Sequence, residues 1–515
     1  MGVVGTLLLA AAAGLATGGA GRKFIPAVAA GPRQVPLPGA PPAHGGQPMT
    51  TLALGAAELR VPRGYFGLST EYWALPLFER HMGSFERILK MLHWPGDEPL
   101  MLRIGGDSAD HSLFDANVGR LPNALFELTP GWFARASALV RDVSARVILD
   151  LNLVADLPRM AELWAHAAQN ELPAGSIVAY EIGNEPDLYN PLYWSRVFAP
   201  LKAALDLRLF TSALTPQTYD RLYLQYARAL ALFAPQVPLA APVVAYPTVH
   251  FDWLRMFMAL PHPDLGLLSA HMYPYSACTV PGSPGYPSVA KLLSEAATTG
   301  MAQSLRPAIE LAHRAGLPFR LTELNSVTCG GLAGVSDTFA TALWAADALF
   351  ALLRAGVDGI NVHVRAYAVN AAFALSAGTV VARPLLYGLI TFVRTLGPDA
   401  ELMQLRVRGR LPAHLKAWAV LLAGDTLHVL LINKGDHSRR VNLLVPRGSG
   451  PAMIERLLAP GAAATSGITL AGQHIGADDR WHGRPRIEAA LPTGRGYVVS
   501  VPPISAALLS VHLTS

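Results

Sequence analysis

The chain has 515 residues, of which 51% are hydrophobic and 15% charged. That composition excludes a disordered chain and allows a large core divided over two or three domains. The net charge of +5 is spread without any block of like charges, which argues against a nucleic-acid partner, and two cysteines are too few for a disulfide framework or a four-cysteine zinc site.

Residues 1–26 open with an uncharged apolar run through Leu7-Leu8-Leu9 and end near Arg22 and Lys23. This reads as a signal peptide or an anchor, so a secreted, periplasmic or cell-surface protein is expected, touching a membrane only if the segment stays uncleaved. Residues 27–49 are rich in Pro, Gly and Ala and read as a spacer. Residues 50–62 form a strand-like segment that precedes the main domain and is expected to complete a later β domain.

Over residues 63–396, eight short apolar runs alternate with helical patterns. The runs are Tyr65–Ser69, Leu100–Ile104, Val147–Asn152, Val178–Ile182, Leu239–Val244, Leu267–His271, Phe319–Leu324 and Gly359–Val364. Helical segments are expected over Met160–Gln169, Tyr219–Phe233, Val289–Ala315 and Asp337–Ala355. The count is that of a (β/α)8 TIM barrel. A doubly wound sheet is the alternative, but no Gly-x-Gly-x-x-Gly follows the first run. Over residues 397–515 the texture changes to alternating segments such as Ala417–Leu422, Thr426–Asn433, Arg440–Val445 and Gly496–Val501, which predict a C-terminal antiparallel β-sandwich.

Barrel enzymes place chemistry at the C-terminal ends of their strands. The fourth run ends Glu181-Ile182-Gly183-Asn184-Glu185-Pro186 and the seventh ends Thr322-Glu323-Leu324-Asn325. Carboxylates on strands four and seven face each other across the mouth. A pair about 5–5.5 Å apart serves a retaining glycosidase, in which one protonates the leaving oxygen and the other attacks the anomeric carbon.

Four segments carry a resemblance: Leu102–Ser108 (LRIGGDS), Tyr180–Tyr189 (YEIGNEPDLY), Ala270–Pro274 (AHMYP) and Thr322–Gly331 (TELNSVTCGG), the last followed by Ser336–Ala340. In order and spacing they resemble the clan A glycoside hydrolases, and within them family 79, the β-glucuronidase and heparanase family. The resemblance implies a catalytic acid/base at Glu185, a nucleophile at Glu323, and Asn184 on the sugar 2-hydroxyl. Arg103 would keep the nucleophile ionised, and His271 and Tyr273 would hydrogen-bond it. Backbone N–H groups of Cys329, Gly330 and Gly331 would hold the uronate carboxylate. Where heparanase-like members have a tyrosine for that carboxylate this chain has Phe373, with Tyr367 as a nearby substitute. Cys329 stands where the family pattern has glycine.

Glu71, Asp107 and Ser108, at the ends of strands one and two, are candidates for sugar hydroxyls; Asp107 could equally cap the next helix. Cys278 follows strand six near the loop of Cys329, and in an exported protein the two could form a disulfide. No metal is expected at His271, since no second His or Cys stands at ligand spacing, and no cofactor is needed. The partner expected is a carbohydrate, either a glucuronide or a uronate-containing glycan.

The expected activity is exo-acting retaining β-glucuronidase. The first alternative is endo-cleavage of a uronate-containing polysaccharide, for which Arg406, Arg408, Arg410 and Lys416 would supply basic groups. The second is a non-catalytic carbohydrate-binding surface protein that stacks sugars on Trp73, Tyr189 and Trp253.

Overall fold

The computed structural model describes residues 49–93, 99–115, 121–208, 210–376, 379–409 and 411–514. The signal-like segment, almost all of the spacer and Arg410 lie outside the described residues. Among the described residues no helix is long and apolar enough to cross a membrane.

Eight parallel strands close into a barrel. They are β1 (Phe66–Glu71), β2 (Leu100–Gly105), β3 (Ala145–Leu151), β4 (Ile177–Ile182), β5 (Leu239–Val244), β6 (Leu265–Met272), β7 (Phe319–Leu324) and β8 (Gly359–His363). Each lies beside its neighbours in sequence, and β8 closes on β1 through Ile360↔Phe66 to His363↔Ser69. The strands read as near-continuous apolar runs because both faces are covered, by helices outside and by packed side chains within. Met101, Ile148, Ala179, Ala240 and Leu267 fill the lower interior. Above them the inward positions turn polar, with Arg103 on β2, Asp150 on β3 and Glu181 on β4, all fully buried.

The helices Pro158–Glu171, Pro216–Leu230 and Phe339–Ala355 match the sequence expectation. The long helix expected over 289–315 is instead broken into Val289–Leu292, Thr299–Ser304 and Arg306–Arg314, with a 3-10 turn between the first two. Ser288 caps the first piece by accepting from Lys291 N–H at 3.2 Å. Thr298 leaves helical geometry at φ −125°, ψ −88°, and Pro307 opens the last piece, where its missing N–H costs nothing.

The C-terminal domain is one large, mostly antiparallel sheet. Its strands include Glu401–Arg408, Leu415–Leu422, Thr426–Asn433, Arg439–Leu444, Gly448–Leu458, Gly496–Val501 and Ser505–Leu513. The N-terminal strand Met49–Arg60 completes it, antiparallel to Glu401–Arg408 and parallel to Arg439–Leu444. The sheet curls around its own core, in which Leu52, Leu427, Leu443, Val499 and Leu509 pack together. Its other face lies on the barrel helices Phe339–Ala355 and Pro384–Thr395. Trp418 stacks on Phe350 at 5.5 Å, and its indole N–H donates to Asp347 at 2.9 Å.

Candidate active site

Arg103 organises the barrel mouth. Its guanidinium is fully buried and meets acceptors from five strand ends or turns: Glu181 at 2.7 Å, Asp150 at 2.9 Å, Asn184 at 3.0 Å, Glu323 at 3.2 Å and Ser69 at 3.4 Å. An always-charged planar fork with five donors suits this position, where a lysine could not reach all partners.

β4 ends in a turn that aims Glu185 inward. Gly183 has φ +80°, and a Cβ there would stand 2.8 Å from Leu153 and 2.9 Å from the Tyr189 hydroxyl, so only glycine fits. Glu185 itself takes the left-handed region at φ +51°, a strained setting typical of functional turns. Pro186 then begins a 3-10 turn. The Glu185 carboxyl is hydrogen-bonded with His271 Nδ1 at 2.9 Å, and its side chain keeps 24% of its surface open to solvent.

Glu323, on β7, has a different setting. One oxygen accepts from the Tyr273 hydroxyl; the other lies 3.2 Å from Arg103 Nη1 and 3.3 Å from His363 Nδ1. An oxygen of Glu185, an oxygen of Glu323 and a ring nitrogen of His271 all lie within 4.8 Å of one another.

These settings push the two carboxyls in opposite directions. Burial raises Glu185 to about 7, and the bond to His271 only partly offsets it. Burial would raise Glu323 too, but the His363 and His271 rings, the Arg103 guanidinium and the Tyr273 hydroxyl hold it well below the usual carboxylate range. Burial lowers His363 from its ordinary value, so the permanent charge of Arg103 and the Tyr273 hydrogen bond are the parts of this effect that persist at higher pH. The structure therefore places a carboxyl that gains and loses its proton near neutral pH beside one that stays ionised.

The trio Glu185, His271 and Glu323 has the spacing to contact a cation. Glu323 is engaged by Arg103 and Tyr273, and Glu185 by His271 Nδ1, so a metal held by those carboxyls would displace these bonds beside a permanent guanidinium; His271 Nε2 is buried without a partner.

Other expected residues are placed differently. His271 bonds Glu185 rather than Glu323, whose oxygens are taken by Arg103, Tyr273 and His363. Glu71 is 1% exposed; it accepts from Ser108 N–H at 2.8 Å and pairs with Arg365 Nε at 2.7 Å, so it has no oxygen facing a sugar. Ser108 is also fully buried, donating to Gly105 O and accepting from Tyr72 N–H. Asp107 makes no helix cap, because Gly106 holds that position; it pairs with Arg365 at 2.5 Å and leaves 54% of its side chain exposed. Phe373 is buried between Phe78 and Phe85 beneath the mouth, and Tyr367 points outward at 64% exposure.

Cys278 and Cys329 form a disulfide that ties the loop after β6 to the loop after β7. Cys329, Gly330 and Gly331 all have positive φ, at 57°, 76° and 90°. The Gly331 N–H donates to Thr328 O at 3.1 Å, so it is not among the N–H groups free for a carboxylate. A Cβ on Gly331 would meet Asn370 at 2.8 Å, so the glycine serves close packing there.

Of the aromatics weighed for sugar stacking, Tyr189 is buried with its hydroxyl on Asp110, Trp253 packs on Tyr219, and Trp73 stands half-buried against His111. Arg406 and Arg408 alternate as an exposed strand face, and Lys416 pairs with Glu295. Sequence reasoning missed His363 and Arg365. The signal was present, since both sit where the eighth run ends, the position that yielded Glu185 and Glu323 on other strands.

No family model and no curated protein matches the chain. Solved structures do resemble it. A 4-O-α-L-rhamnosyl-β-D-glucuronidase from Fusarium oxysporum aligns with TM-score 0.71 at 17% identity, over 89% of this chain and 100% of that one. The family 51 α-L-arabinofuranosidase of Thermotoga petrophila aligns with TM-score 0.65 at 15% identity, over 90% and 100%. A bifunctional glucanase-xylanase, CelM2, from a metagenome library gives TM-score 0.57 at 13% identity, over 91% and 100%. The chain thus shares with these proteins a parallel eight-stranded barrel joined to a large antiparallel sheet domain.

Proposed function

We propose that this protein is a retaining glycoside hydrolase acting on terminal β-linked glucuronate. The observation that carries the reading is the carboxyl pair: oxygens of Glu185 and Glu323 within 4.8 Å, one carboxyl raised to about 7 and the other held ionised. That proximity is nearer the ~5–5.5 Å separation of retaining enzymes than the ~6.5–9.5 Å of inverting ones.

Glu323 attacks the anomeric carbon while Glu185 protonates the departing oxygen. Glu185, now ionised, then takes a proton from water as that water releases the sugar from Glu323. Tyr273 and Arg103 hold the nucleophile in place. Asn184 turns its oxygen to Arg103, so its amide NH2 is the end that donates to the sugar 2-hydroxyl. The Cys329 and Gly330 N–H groups take the uronate carboxylate. Likeness to a rhamnosyl-glucuronidase supports the substrate class. The disulfide supports export, because such bonds persist in oxidising compartments.

The test is a panel of aryl glycosides. The β-glucuronide should be cleaved, with the β-glucoside, β-xyloside and α-L-arabinofuranoside far slower. Preference for any neutral glycoside would contradict the glucuronate reading while leaving the carboxylate pair in its role.

A further inference from the structure

Asp187 lies two residues beyond Glu185, and its side chain is fully buried. Its carboxylate accepts from the backbone N–H of Ala245 at 2.9 Å and of Tyr246 at 3.4 Å, and it pairs with His250 Nδ1 at 2.7 Å. Three bonds from one carboxylate fasten the loop after β5 to the turn that carries Glu185. The Glu185 N–H adds a fourth tie by donating to Val243 O, on β5, at 3.1 Å.

The same loop closes on itself. Tyr246 O accepts from the N–H groups of Val249 at 3.0 Å and His250 at 2.7 Å, and the Tyr246 ring stands edge-on to the His250 ring at 6.2 Å. The backbone of Tyr246 is therefore bonded in place, yet the residue is 40% exposed, and Val249 beside it is 75% exposed. A half-exposed aromatic residue on a loop bonded to the turn of the general acid is suited to hold a ring in one orientation at little entropic cost.

We propose that Tyr246 is the leaving-group platform, stacking on the apolar face of the pyranose ring bonded to the oxygen that Glu185 protonates, with Asp187 as its positioning residue. This rests on reading Glu185 as the acid/base. Stacking at that place holds the glycosidic oxygen against the Glu185 proton, so it acts on bond cleavage as well as on binding.

The test compares two substrates that share the glucuronyl group. One is β-glucuronyl fluoride, whose leaving group has no ring; the other is a disaccharide with glucuronate β-linked to a pyranose. The readout is the ratio of kcat/KM for the disaccharide to that for the fluoride. Tyr246→Ala should lower the ratio about tenfold, the scale of one lost aromatic stacking contact. Tyr246→Phe keeps the ring and should keep the ratio. Asp187→Ala should lower it too, mainly through KM for the disaccharide. An unchanged ratio in Tyr246→Ala, or an equal fall on both substrates, would overturn the platform. Wild-type protein that cleaves neither substrate would overturn the glucuronidase reading and this inference with it, whereas wild-type turnover with an unchanged ratio would overturn the platform alone.

Discussion

At the scale of single residues, the account turns on two glutamates with opposed protonation. Glu185 must carry its proton in the first step, and its pKa is raised to about 7. The rate on substrates with poor leaving groups should therefore fall as pH rises through about 7. Because Glu323 is held well below the usual carboxylate range, activity should persist far to the acid side. Glu185→Ala should lower turnover of poor leaving groups by about 10²–10⁴-fold, spare activated aryl substrates in the first step, and recover with azide. Azide rescue of Glu323→Ala instead would exchange the two roles. Both glutamates were legible in the sequence, because Asn-Glu-Pro and Thr-Glu-Leu end the fourth and seventh apolar runs. The partner of His271 was not. The family resemblance implied Glu323, beside which His271 does lie in register. Only the folded barrel reveals that other donors already occupy Glu323, so that the ring turns to Glu185.

At the scale of elements, the loops after β6 and β7 act as one unit. Tyr275–Ser276 pairs with Val327–Thr328, and the Cys278–Cys329 disulfide lies just beyond. With the cysteines 51 positions apart in sequence, the chain-entropy argument gives the bond about 4 kcal/mol of stability. The double variant Cys278→Ser/Cys329→Ser should lower the unfolding free energy by that order in denaturant melts under non-reducing conditions. Gly330 has a positive φ and nothing within 4 Å of its missing Cβ, so a side chain there strains the backbone without a clash. Gly330→Val should accordingly raise KM for an aryl glucuronide far more than for any glucoside the enzyme cleaves; equal damage would make the loop structural. The positive φ expected of this loop was legible in Cys-Gly-Gly. That Gly331 spends its N–H on Thr328 was not, since it depends on the turn the chain makes. The broken helix over 289–315 was missed for a related reason. Its apolar spacing runs on through Ser294 and Thr298, but the backbone leaves helical geometry at both, with ψ +161° at Ser294 and ψ −88° at Thr298, and Ser294 Oγ bonds back to Lys291 O.

At the scale of the whole molecule, barrel and sheet share one core. Phe350 and Phe392 of the barrel helices pack in the same cluster as Trp418, Leu430 and Leu508 of the sheet. Within that interface Asp347 is fully buried and holds Lys434 at 2.5 Å and the Trp418 indole at 2.9 Å. Asp347→Ala would leave a buried ammonium unpaired, at a cost of about 3–5 kcal/mol. It should lower the melting temperature of the whole chain in a single transition; two separate transitions in the wild type would mean that the domains are stabilised independently. The barrel was legible because its eight strands are short apolar runs at regular intervals, and the sheet because its strands alternate. The polar contacts between them were not, because Asp347 and Lys434 are 87 residues apart and neither belongs to a motif. All of this architecture serves to hold two carboxyls within 4.8 Å at the barrel mouth. The most direct test of that claim is the anomeric form of the first product, followed by proton NMR during cleavage of an aryl β-glucuronide. The account predicts that the β anomer appears first and then mutarotates. First appearance of the α anomer would contradict it.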